Sequence, residues 1–111
     1  MKRGWPTGYI EVTFRIHQEN SHFVSACPEL DVASCGDTID EALKNIREAT
    51  LLYLNTIEEQ GERQRIFHEK RITLHHKEPP ERKRVEVKPN ELVSTFLASI
   101  PANNDPIAAA I

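Results

Sequence analysis

Across the tripeptide Gly36-Asp37-Thr38 the apolar residues change from every second position to every third or fourth, and this change limits the folds open to the chain. On the early side, "YIEVTFRIH" (residues 9–17) alternates Ile10, Val12, Phe14 and Ile16 with Glu11, Thr13 and Arg15, the pattern of a strand buried on one face. On the late side, Ile39, Ala42, Leu43, Ile46, Ala49, Tyr53, Leu54 and Ile57 form one stripe of a helix predicted over residues 38–60. Thr38 with Glu41 three residues on makes a capping box, Asp37, Asp40 and Glu41 suit the positive helix end, and Gly61 suits the position after the last turn. Such a helix runs about 34 Å at the standard rise. That is long for a chain of 111 residues, which has room for one hydrophobic core.

The residues before the change read as two more strands. "QENSH" supplies turn formers and "FVSAC" a second strand, so residues 9–27 predict a hairpin. Pro28 ends that strand, and "LDVASCG", short and rich in small residues, predicts a third. Cys27 and Cys35 lie eight apart, whereas the paired ligands of structural zinc sites sit two to four apart. Both therefore read as reduced, small hydrophobes closing adjacent strands, and no metal ligand or cofactor is assigned.

The pattern weakens beyond Gly61. Residues 71–75 and "RVEVKP" are strand candidates separated by a charged turn at Pro79 and Pro80. "NELVSTFLASI" fits a short helix or an alternating strand, its Ser, Thr and β-branched residues favouring the strand. The chain divides into a core at residues 1–62, a rear segment at 63–101 that completes the sheet or binds a partner, and a tail at 102–111 expected to be mobile. Charge follows the division: residues 1–61 carry five Lys/Arg against ten Asp/Glu, and residues 63–88 carry nine against four. An acidic front repels phosphates, so a nucleic-acid patch would fall to Arg82, Lys83, Arg84 and Lys88, joined by Arg63, Arg65, Lys70 and Arg71. The competing reading is that these charges guard an edge strand. No apolar run reaches the roughly 18–20 residues of a membrane span, and the start lacks a secretory signal pattern, so a cytoplasmic protein without membrane contact is expected.

The join "CPELDVASCGDTIDEALKNIREATLLYLNTIEEQGE", following two strands, resembles the HicB-like antitoxin family. Pro28, Glu29, Leu30, Gly36, Asp37, Thr38, Glu41, Ala42, Leu43, Asn45, Glu48, Ala49, Tyr53 and Leu54 fall at that family's spacing, and the match covers residues 10–62. The resemblance implies an α+β fold, a β-β-β-α-β core like a partial ribonuclease H, with one long helix on a mostly antiparallel sheet. It further implies an oligomeric antitoxin of a type II toxin-antitoxin system, which binds and occludes a small basic HicA-type ribonuclease. Many members carry a C-terminal helix-turn-helix or ribbon-helix-helix domain that binds operator DNA. Prolines at 79, 80, 89, 101 and 106 interrupt any such domain here, which argues against direct DNA binding and for a short, single-domain member.

Enzymatic readings find little support in the residues. A two-metal hydrolase needs several carboxylates at strand ends, but Glu11, Glu29, Asp31 and Asp37 read as an outward strand position, turn residues and a helix-start charge. His75 and His76 would alternate faces on a strand, with His68 on a neighbouring turn. No phosphate loop or nucleophile elbow is present, so no catalytic residue is assigned. Toxin capture needs only a complementary surface: Glu29, Asp31, Asp37, Asp40, Glu41 and Glu48 to steer a basic partner, and Phe96, Leu97 and Ile100 as apolar anchors. Core or dimer packing is the alternative role of those three.

Overall fold

The alternating run at 9–17 extends at both ends into β1 (Pro6–Glu19), which forms the spine of a four-stranded antiparallel sheet. The computed structural model describes residues 6–79, 81–82 and 84–101. β2 (His22–Cys27) and β3 (Val32–Gly36) follow as predicted, then the long helix α1 (Ile39–Glu59), a short helix α2 (Arg63–Glu69) and β4 (Glu91–Pro101). The strand order is β3-β2-β1-β4, and α1 packs on one face, closest to β3. The protein is thus α+β, with a β-β-β-α order completed by a strand from the rear of the chain.

One stripe of side chains from each element makes the core. Ile10, Val12 and Phe14 of β1, Cys27 and Leu30 around the β2–β3 turn, Ile46, Leu54 and Ile57 of α1, Phe67 of α2, and Ala98 and Ile100 of β4 form one cluster. Phe14 stacks on Phe96 with ring centroids 5.2 Å apart, joining the spine to the edge strand.

Both ends of α1 carry the expected caps. Thr38 Oγ1 accepts from the Glu41 N–H at 3.1 Å, and Glu41 Oε1 reaches back to the Asp37 N–H at 3.0 Å, one residue before the usual target of a capping box. At the other end Gly61 adopts φ +72°, with Glu62 N–H to Ile57 O at 2.8 Å and Gly61 N–H to Glu58 O at 3.1 Å. This paired arrangement is the Schellman motif, and glycine meets its left-handed backbone without strain.

Three expectations for the rear segment need correction. Residues 71–75 make only one bridge, Tyr9 to His75, because Arg71 (φ +58°) and Ile72 instead close the end of α2 through bonds to His68 O and Phe67 O. Residues 84–88 join no ladder; they lead into β4, which takes the place beside β1. Helix α2 was not anticipated; its seven residues lack a long periodic pattern, and it is held by Phe67 in the core and by Arg65 between Glu62 and Glu69. Lys83, Pro80 and the tail at 102–111 lie outside the described residues.

Candidate partner-binding surface

The join between the strands and the helix holds the molecule's upper end in shape. Past Arg15, toward its start, β1 has no β2 partner, and at that point the Glu29 carboxylate accepts from the Thr13 N–H at 3.0 Å and the Thr13 hydroxyl at 2.7 Å. Glu29 thus stands in for a missing strand. Asn45 Nδ2 donates to Cys35 O at 2.8 Å, tying α1 to the end of β3. Gly36 passes so close to the helix that an added Cβ would lie 2.5 Å from Ala42 N. Most of the residues that carry the family resemblance therefore build the scaffold.

Above that scaffold, the first turn of α1, the β1–β2 hairpin and the start of β4 leave an open cleft of about 620 Å3. Ile16, Phe23, Ile39 and Leu92 line its apolar part, and His17, Asn20, Asn90 and Glu91 rim it. Ile39 is 39% and Leu92 51% exposed, both high for large aliphatic side chains. Asp37 and Asp40, both exposed, flank Ile39 on the same turn. Sequence periodicity placed Ile39 in the buried stripe; its position in the first turn, ahead of the residues that overlie the sheet, was the available signal that it stays open.

The predicted anchors do not form one surface. Phe96 is half-buried against Phe14 on the helix side of β4, Leu97 lies on the opposite face of the strand, and Ile100 is 2% exposed. Ile100 is a core residue, because strand alternation puts it on the same inward face as Phe96 and Ala98. Leu92, four residues before Phe96 and on its face, is the exposed apolar group of β4.

The steering charges and the basic patch are also partly committed elsewhere. Glu29 and Glu41 serve Thr13 and Asp37, leaving Asp31, Asp37, Asp40 and Glu48 with exposed side chains. Arg82 lies 4.0 Å from both Glu11 and Glu78, Arg63 pairs with Glu58 at 2.6 Å, and Arg65 with Glu62 and Glu69. Arg84 and Lys88 are exposed, and the Lys88 N–H donates to Glu91 at 3.1 Å. That bond, with Arg15 beside it, holds the Glu91 carboxyl below the usual range. Three guanidinium groups of the proposed phosphate patch thus already face carboxylates.

Glu11 and Glu29 line one cleft behind the sheet, where Arg82 lies 4.0 Å from Glu11 and Thr13 donates to Glu29, whereas Asp31 on an exposed turn and Asp37 at the helix start do not line it. Among the described residues no group of three His, Cys, Asp or Glu is placed to hold a metal ion. Cys27 and Cys35 project from opposite faces of the sheet, Cys27 buried toward α1 and Cys35 exposed behind, and both are free thiols. No described helix is long and apolar enough to cross a membrane.

Comparison with protein-family models, with curated proteins and with solved structures finds no match.

Proposed function

We propose that the chain is a HicB-like antitoxin that binds a small basic HicA-type ribonuclease in the cytoplasm and stops it by occlusion, with no catalytic step of its own. The observation that carries this reading is the join at residues 27–38: the motif positions that resemble the family are those that cap β1, bend the chain at Gly36 and start α1. The order β-β-β-α-α-β agrees with what the resemblance implies, apart from the added short helix α2.

The toxin's contact falls on the cleft at the start of α1. Its apolar wall of Ile16, Phe23, Ile39 and Leu92 supplies affinity, while Asp37 and Asp40 draw in a protein that must be basic to hold RNA. The basic rear segment is the weaker candidate for an interface, since Arg63, Arg65 and Arg82 are already ion-paired.

Ile39→Lys tests the assignment, because Ile39 is open enough for a lysine to reach water without disturbing the core. Binding to a purified HicA-type toxin should weaken by about 1.4–2.8 kcal/mol, roughly ten- to a hundredfold, through lost burial and an added like charge. Unchanged affinity with an intact fold would move the interface away from the cleft.

A further inference from the structure

Among the described residues β4 carries an unguarded edge. It is eleven residues long, about 36 Å, and from Leu92 to Ile100 it contains no charged residue and no proline. Its one register irregularity against β1 falls at Pro6/Gly8, beyond that stretch. Natural sheets usually protect such an edge with lysine, proline or a bulge. The opposite edge, β3, has only five residues and lies under α1.

The hydrogen-bond pattern identifies which groups face outward. Tyr9 exchanges both main-chain bonds with His75, and the Thr13 N–H goes to Glu29, so odd-numbered residues of β1 point away from β4. Ile10, Val12, Phe14 and Ile16 therefore face β4, where their partners are Ala98, Phe96, Ser94 and Leu92. By the same alternation Glu91, Val93, Thr95, Leu97 and Ser99 direct their N–H and C=O groups to the free edge.

We propose that this edge pairs antiparallel with the same edge of a second copy, about a two-fold axis at Thr95, giving one continuous sheet of eight strands. All five outward residues are then matched, for about ten main-chain hydrogen bonds. On the helix side Leu92 meets the partner's Ala98 and Ser94 meets the partner's Phe96, a large residue against a small one each time. Behind the sheet Val93 meets the partner's Leu97. Shifting the axis by one residue would oppose Leu92 to the partner's Phe96 in one direction and Phe96 to the partner's Phe96 in the other. Glu91 falls opposite the partner's Ser99, so no like charges meet, and its carboxylate stays with its own Arg15 at 2.6 Å. A chain of net charge −3 meets its copy with least repulsion along this uncharged strand. A foreign strand would find the same main-chain groups, but the large-against-small match is specific to this sequence paired with itself. The pairing is argued without the toxin, although Leu92 belongs both to this strand face and to the wall of the cleft.

Sedimentation velocity of the full chain at micromolar concentration should give a dimer. Thr95→Pro removes an outward N–H from each copy and none of the bonds to β1, and proline is tolerated at strand edges, so the fold should persist while the dimer weakens at least about tenfold. A register test accompanies it in a Cys35→Ser background, where Thr95→Cys sits opposite itself and Ser99→Cys does not. Mild oxidation should link the first into disulfide dimers much faster than the second, whether or not the proline variant folds. A monomeric wild type, a dimer indifferent to a folded Thr95→Pro variant, or equal cross-linking at 95 and 99 would overturn the proposal.

Discussion

The clearest single-residue dependence in the fold is that of β1 on Glu29. Thr13 is 2% exposed, and its N–H and hydroxyl both donate to the Glu29 carboxylate at 3.0 and 2.7 Å. Hydrogen bonds to a charged acceptor contribute about 1.5–3 kcal/mol each, and a buried donor left without a partner costs about 1–3 kcal/mol. Glu29 itself is half-exposed, so water recovers part of the loss in Glu29→Ala. The expected destabilisation is about 2–4 kcal/mol, or a fall of roughly 10–20 °C in Tm at this chain length. Glu29→Gln should cost only about 1 kcal/mol, because the amide oxygen can accept from the N–H while the amide nitrogen donates to the hydroxyl. Urea unfolding followed by circular dichroism measures both variants, and a cycle with Thr13→Val isolates the hydroxyl bond. If Glu29→Ala lies within about 0.5 kcal/mol of wild type, or if Gln is as harmful as Ala, the side chain does not act as a surrogate strand.

Two further predictions follow from burial. The Cys27 thiol is pushed up to about 11, first by burial and then by the nearby Glu29 carboxylate, whereas Cys35 is exposed. At pH 8 one thiol per chain should react promptly with a disulfide reagent and the second only on unfolding; equal rates would contradict the placement. Because the folded state holds the Cys27 proton more tightly than the unfolded chain, this contribution is complete below about pH 9 and is lost as the pH rises to about 11. Two pKa units correspond to about 3 kcal/mol, and Cys27→Ala should remove that part of the alkaline decline. Ile100→Ala should cost about 2–5 kcal/mol by leaving a cavity beside Ala98, measurable by urea unfolding, and a loss under about 0.5 kcal/mol would return Ile100 to the surface.

What could be read in the sequence were the features fixed by neighbours along the chain. The alternation of Ile10 to Ile16, the Thr38 and Glu41 cap, and Gly61 after the last turn each depend on residues a few positions away, and each stands where local rules place it. The rear segment was harder because its conformation depends on distant partners. Residues 91–101 could be helix or strand until the free edge of β1 decided between them, and residues 71–75 had strand-like composition but were already engaged in ending α2. For the same reason Ile100 resembled an anchor in sequence. Which face of β4 turns inward is set by its pairing with β1, about 90 positions earlier in the chain. Glu29 was assigned to steering because nothing local shows that a strand 16 residues upstream lacks a partner there. The cleft combines residues of β1, β2, α1 and β4, and only Ile39 carried a local sign of exposure.

The most direct test of the proposed function is a titration of purified HicA-type ribonuclease with this chain, followed by cleavage of a messenger RNA. Stoichiometric occlusion predicts that cleavage falls in proportion to added protein and reaches background at one chain per toxin, largely unaffected by moderate salt because apolar contacts carry the affinity. Cleavage that continues at several-fold excess, or loss of cleavage only through binding of the RNA itself with steep salt dependence, would contradict the antitoxin account.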